Sequence, residues 1–205
     1  DPAYTVAIVG GSHSAQWLPA FQSFADAEKV KIINLTKSAC RFTSSNDVEE
    51  DCIQWNNNVI EKLIEIKPDL VFTIADVGSL QEVPEGYVEQ WKKLEEHNIN
   101  VLALRDNAWF KFDPPSCIED NSPNYEECSV NQEELLPQQG AFELLENKPN
   151  NVHYYDFTEY FCQDGKCDLV IGNILVYRDT HHITATYAQS LGPILRPIVM
   201  EILDE

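Results

Sequence analysis

Basic side chains are scarce in this sequence, 14 Lys and Arg against 34 Asp and Glu, for a formal net charge of −20. A surface of that sign repels phosphate backbones and anionic membrane faces, so nucleic acid is excluded as a partner. No run of about 18 apolar residues occurs, so nothing in the sequence is suited to span a bilayer. Internal repeats and low-complexity tracts are absent. The first residues, Asp1-Pro-Ala-Tyr, lack the basic and apolar stretch of a secretion signal, which points to a segment processed or cut from a longer protein. Paired Cys-x-x-Cys spacings are missing as well, and no histidine lies near the cysteines, which argues against a zinc motif; no metal and no cofactor is expected.

What is present is enough for one globular domain over residues 1–205, with 43% hydrophobic residues to build a core. The chain turns on Val6-Ala-Ile-Val-Gly-Gly-Ser-His-Ser-Ala-Gln-Trp-Leu-Pro19. Four aliphatic residues read as a strand buried on both faces of a parallel sheet. Gly10 and Gly11 allow a sharp turn, and a helix is expected from about Ala15 to Ala27. Ser12 then falls at a helix amino end, where free N–H groups and the dipole favour developing negative charge. That suits a nucleophile, although a serine there can also be a simple cap.

The other end supplies a base in Tyr177-Arg-Asp-Thr-His-His-Ile-Thr184. Asp179 and His182 are three residues apart, which lets a carboxylate reach the imidazole N–H, orient the ring and stabilise its protonated form. His181, beside it, is the competing base.

Between these ends the pattern alternates. Val30 to Leu35, Pro68 to Ala75, Asn100 to Leu104 and Val152 to Asp156 read as strands. Helices are expected at Glu49 to Ile66 and Tyr87 to His97, with Trp17, Trp55 and Trp91 turned inward. This is the signature of an α/β fold with a doubly wound parallel sheet, a three-layer sandwich. Lys111 to Asn151 loses periodicity and reads as an irregular insertion, with a helical turn or two near Gly140 to Leu145. Cys162 to Cys167 encloses the tight turn of a hairpin. Ala185 to Leu203 is helical, broken or kinked at Pro193 and Pro197. The six cysteines fall by proximity into Cys40 with Cys52, Cys117 with Cys128 and Cys162 with Cys167, the simplest of the connectivities open to them and one suited to an oxidising compartment.

Gly10-Gly11-Ser12 and Asp179-Thr-His-His182 together resemble the first and last motifs of the SGNH (GDSL-type) hydrolase and acyltransferase superfamily. Gly-Gly-Ser-His-Ser followed by Ala-Gln-Trp-Leu-Pro is similar, more narrowly, to the extracytoplasmic SGNH domain fused to bacterial acyltransferase-3 membrane proteins. Cys40, the Cys162 and Cys167 pair and the Leu-Val-Tyr-Arg-Asp-x-x-His approach belong to the same resemblance. It implies a Ser12, His182, Asp179 triad and selects His182 over His181. Oxyanion or substrate-binding groups are implied at Ser12, Ser38, Gly78 and Asn107, in blocks that follow strand ends. The blocks depart from the family's pattern at three places: Gly11 stands for Asp, Ser38-Ala39 lacks the usual Gly, and Asp76-Val-Gly-Ser79 differs from Gly-x-Asn-Asp.

The function implied is O-acyl, chiefly acetyl, transfer to a cell-envelope glycan or glycolipid acceptor. The acyl donor side is a membrane acyltransferase domain of the same chain, from which this extracytoplasmic piece would have been excised. A carbohydrate O-acetyl esterase, with water as acceptor, is the alternative. A non-catalytic domain that binds glycan or positions the acceptor is a third. Of the remaining residues, His13 is assigned a structural role, His97 and His153 none, and Trp109 a place bordering the site.

Overall fold

The computed structural model describes all 205 residues. Its centre is a sheet of five parallel strands: β1 (Tyr4–Gly10), β2 (Val30–Thr36), β3 (Leu70–Ile74), β4 (Asn100–Leu104) and an edge strand, Val152–Tyr155. They lie in the order β2, β1, β3, β4, edge strand. The chain first winds outward from β1 to β2, then crosses back and winds the other way, so the sheet is doubly wound as the alternation predicts. Between β1 and β3 the direction of winding reverses. Loops leaving those two strands diverge, and a crevice opens beyond their carboxyl ends.

The aliphatic runs explain why this sheet is covered twice. Alternate residues of a strand face opposite sides, and here both sides are dry. Val6 and Ile8 join the larger core with Leu70, Phe72, Leu102 and Leu104. Ala7 and Val9 join the other with Val71, Val101 and Ala103. The first face is closed by α2 (Leu18–Ala25) and by the helices Ala185–Ser190 and Gly192–Leu203. The second is closed by α3 (Glu50–Ile66) and α4 (Glu85–Glu95).

Three local expectations need correcting. The single helix expected after the first turn is two, α1 (Ser12–Ala15) and α2. Pro19 sits in the first turn of α2, where its missing N–H costs nothing; Gln16 ends the first piece and Trp17 opens the second. The last helical stretch breaks at Leu191 instead of at its prolines: Pro193 opens the final helix and Pro197 is carried inside it, while Leu195, Val199 and Ile202 stay packed on the core. Trp55 is only half-buried, whereas Trp17 and Trp91 are fully enclosed.

The insertion is more ordered than its composition implies. A helix, Pro114–Asn121, starts at Asp113, whose carboxylate accepts from the Ser116 amide at 3.1 Å. Val130–Asn131 pairs with Lys166–Cys167, which pairs in turn with Cys162–Gln163, so the insertion and the expected hairpin form one small three-stranded sheet. Phe142 anchors the far end, stacked on Tyr154 at 4.7 Å. The disulfides Cys40–Cys52, Cys117–Cys128 and Cys162–Cys167 are all formed, in the sequential pairing, and no cysteine is free.

Loop closure over the 12 residues from Cys40 to Cys52 stabilises by about 2–3 kcal/mol, largely by restricting the unfolded chain. Replacing both cysteines with Ala is expected to lower the melting temperature by about 5–10 °C. Calorimetry checks this, and a melting temperature within a degree or two of the parent contradicts it.

Candidate active site

The site is built at the crevice between β1 and β3, from segments that follow the first four strands and from the late loop closed by the Tyr177–Ile183 bridge. β1 ends in Gly10 at φ 130°, a conformation closed to other residues, and a Cβ there would meet Ser14 Oγ at 2.4 Å. The chain therefore turns sharply and starts α1 at Ser12, leaving its hydroxyl at the rim of a cavity of about 430 Å³. Gly11, where the family pattern has Asp, packs against the loop held by Cys40–Cys52. A Cβ at Gly11 would lie only 3.3 Å from the Cys40 carbonyl oxygen, which accounts for the departure.

Asp179, His182 and Ser12 form one hydrogen-bonded chain. His182 Nδ1–H donates to Asp179 Oδ2 at 2.8 Å, and the Ser12 hydroxyl donates to His182 Nε2 at 2.7 Å. The second carboxylate oxygen of Asp179 accepts the backbone N–H groups of His181 at 3.0 Å and His182 at 2.7 Å. Burial pushes the Asp179 carboxyl upward, but these amides and the His182 ring outweigh it and hold it at about 2. It is thus ionised wherever an imidazolium forms beside it.

A second polar chain runs alongside. Asp106 is almost fully buried and accepts four N–H groups: His13 Nδ1 at 2.6 Å, the Asn107 amide at 3.0 Å, the Gly78 amide at 3.1 Å and Trp109 Nε1 at 3.2 Å. His13 Nε2 meets His181 Nδ1 at 2.8 Å, and the His181 ring lies flat on Trp109 with centroids 4.0 Å apart. Burial lowers the proton affinity of His181, reinforced by its neighbours His182 and His13. His181 is therefore engaged with His13, while His182 alone meets Ser12. His13, given a structural role on sequence, does hold a neighbouring loop through Asp106, and it also lines the cavity. Trp109 borders the cavity as expected.

The other expected site residues are not gathered with these. The Gly78 N–H is spent on Asp106, and the Asn107 side-chain amide donates to the carbonyls of Ala108 and His181 while its oxygen accepts from Gln16. Ser38 faces a separate recess of about 380 Å³ on the outer side of Ser12. Its neighbour Ala39 lines the main cavity instead, at φ 61°, the left-handed conformation that favours glycine, and its N–H has no acceptor in the protein. Sequence reading passed over Ala39 because only the backbone angle shows that it occupies a glycine's place. It passed over Asp106 because its importance lies in four donors from three separate loops.

The Ser12–His182–Asp179 hydrogen-bonded chain thus lies at the switch point of a doubly wound sheet, where α/β proteins place their sites. The chain belongs to the family of SGNH domains found fused to acyltransferase-3 (AT3) domains, which matches residues 1–197. Membership supports an acyl-transfer or esterase-like role. None of the curated proteins matches the sequence. Among solved structures, the periplasmic domain of the lipopolysaccharide acetyltransferase of Salmonella ser. Paratyphi A is similar over 96% of this chain and 84% of that one, at 15% identity and a TM-score of 0.73. At that identity the likeness establishes a common fold. No helix is long and apolar enough to cross a membrane.

Asp76, at the end of β3, is buried in the cavity wall and accepts the Asp106 amide at 2.8 Å. Burial pushes its carboxyl up to about 7; the Asp106 and Asp156 carboxylates add to this, while the Asp106 N–H and Arg105 oppose it. The folded chain therefore holds a proton at Asp76 that the unfolded chain releases near its ordinary value of about 3.9. Folding stability is expected to fall as pH rises between about 4 and 7 and to be unaffected by this group above that. Asp76→Asn, neutral throughout, should flatten that decline in the urea midpoint; an unaltered slope would assign it elsewhere.

Proposed function

We propose that this domain transfers an acetyl or similar acyl group through an acyl-serine on Ser12 to a hydroxyl of a cell-envelope glycan or glycolipid. The observation that carries the reading is the unbroken chain from Ser12 through His182 to Asp179, at 2.7 and 2.8 Å, opening on a cavity large enough for a sugar. His182 Nε2 takes the hydroxyl proton as Ser12 Oγ attacks the acyl carbonyl, and Asp179 stabilises the imidazolium that results. The protonated His182 then gives its proton to the leaving oxygen, and the acyl group rests on Ser12. In the second half the acceptor hydroxyl loses its proton to His182 as its oxygen attacks the acyl carbonyl, and His182 returns the proton to Ser12 Oγ as the bond from Ser12 to the acyl group breaks.

Charge that develops on the carbonyl oxygen needs fixed donors on the cavity side. The N–H groups of Ser12, in the first turn of α1, and of Ala39 fill that role, since the donors of Gly78 and Asn107 are already committed. The fusion named in the family's description supports a membrane acyltransferase domain as the source of acyl groups, and an extracytoplasmic location follows from it. The named activity of the Salmonella structure, lipopolysaccharide acetylation, supports an envelope glycolipid as acceptor. Three disulfides fit the same oxidising compartment.

Ser12→Ala is expected to abolish hydrolysis of p-nitrophenyl acetate and labelling by a serine-directed fluorophosphonate. Asp179→Asn should lower kcat by about 10³–10⁴-fold. Ser12→Ala combined with His182→Ala should be hardly worse than either alone, because the members of such a chain act as a unit. Labelling that persists in Ser12→Ala would remove Ser12 from the role. Acetate released to water with no transfer to offered glycans would make the domain an esterase that runs the same steps.

A further inference from the structure

Three imidazoles meet beside Ser12. His13, His181 and His182 each bring a ring nitrogen to within 4.8 Å of the others. The carboxylates behind two of them have fixed which nitrogen faces inward. Asp106 takes the Nδ1 proton of His13, and Asp179 takes that of His182, so both rings keep an unprotonated Nε2 on the side of the cluster, facing His181 Nδ1 in His13 and Ser12 Oγ in His182. A carboxylate behind the ring and a bare nitrogen in front is how imidazoles are oriented for a metal ion. The chain from Ser12 to Asp179 is complete without His13 and His181, so acyl transfer does not account for their convergence.

We propose that His13, His181 and His182 form a zinc site, with Ser12 Oγ or a water as fourth ligand, and that the bound ion silences His182 as a base. Three imidazoles and one oxygen are a usual tetrahedral set for zinc. Zinc–nitrogen bonds of about 2.0–2.1 Å place tetrahedral ligands about 3.4 Å apart, a spacing reached by rotating the rings within the cluster. Binding moves protons without releasing any. His181 transfers its proton from Nδ1, where it serves the bond to His13, to Nε2, and the Ser12 hydroxyl turns its proton away from His182. No thiolate competes for the ion, because all six cysteines are in disulfides, and the other two histidines join no such group. The net charge of −20 raises the local concentration of divalent cations.

The silencing rests on the proposed function, since an ion on His182 Nε2 occupies the lone pair that must take the Ser12 proton; the binding does not. Equilibrium dialysis of the disulfide-intact domain against zinc chloride, followed by elemental analysis, should find one ion per chain. His13→Gln and His181→Gln should each weaken its retention by about 10–100-fold or more, and cobalt in its place should show tetrahedral absorption bands. Melting curves establish that each variant is folded, and His181→Gln carries the test if His13→Gln is not. No ion retained at submillimolar zinc, or retention indifferent to both substitutions, overturns the site. Fluorophosphonate labelling should fall on zinc loading in the parent and not in His13→Gln. Equal labelling with and without bound zinc overturns the silencing, while an absence of labelling in either state counts against Ser12 as nucleophile and leaves the dialysis result standing.

Discussion

The buried carboxylate of Asp106 is the constraint on which the crevice depends. A charge with so little solvent must be compensated by donors, or it costs several kcal/mol. Here the donors come from the loops after β1, β3 and β4: His13, Gly78, and Asn107 with Trp109. Satisfying one anion therefore draws three separate connections into fixed relation at the one place where the winding of the sheet leaves them free to diverge. Gly78 shows how tight the knot is, because a Cβ there would come within 2.7 Å of an Asp106 oxygen. The neutral state favoured at Asp76, which accepts the Asp106 amide, comes first from its burial, and the neighbouring Asp106 carboxylate adds to it.

Much of this architecture can be read from the chain. Continuous aliphatic strands such as Val6 to Val9 say that both faces are covered, and their alternation with amphipathic helices says that the sheet is parallel. Proximity was enough to pair the cysteines because each pair closes a short loop. Ser12, Asp179 and His182 stood out through the resemblance of Gly10-Gly11-Ser12 and Asp179-Thr-His-His182 to the family's first and last motifs; a serine after a Gly-Gly turn, or a carboxylate three residues before a histidine, is a weak signal alone. Their meeting across 170 residues of sequence joins the turn after β1 to a late loop that lies outside the main sheet.

What was not legible depends on backbone angles and on partners distant in sequence. Nothing in Ser38-Ala39-Cys40 tells that Ala39, and not Ser38, lines the main cavity, with a left-handed backbone angle and an N–H that no group of the protein accepts. Gly78 and Asn107 follow strand ends as donors of an oxyanion should, yet Gly78 is consumed by Asp106, and Asn107 by its neighbour Ala108 and by the distant His181. Pro197 reads as a helix breaker, but the apolar stripe of Leu195, Val199 and Ile202 outweighs one lost hydrogen bond. The order in the insertion comes from pairing Val130–Asn131 with a hairpin over thirty residues later, a contact without local signature.

One oxygen of Asp179 gathers the backbone N–H groups of both His181 and His182. The two rings are consequently mounted on a single pivot, and a disturbance on the Trp109 side is passed through His13 and His181 to the peptide that carries His182. A substitution in that wall of the crevice is therefore felt at the His182 ring. The opposite wall, where Arg41, Phe42 and Val48 face the cavity, shares no hydrogen bond with either histidine chain. Side chains on that side can therefore be exchanged while the hydrogen-bonded chain from Ser12 to Asp179 keeps its place.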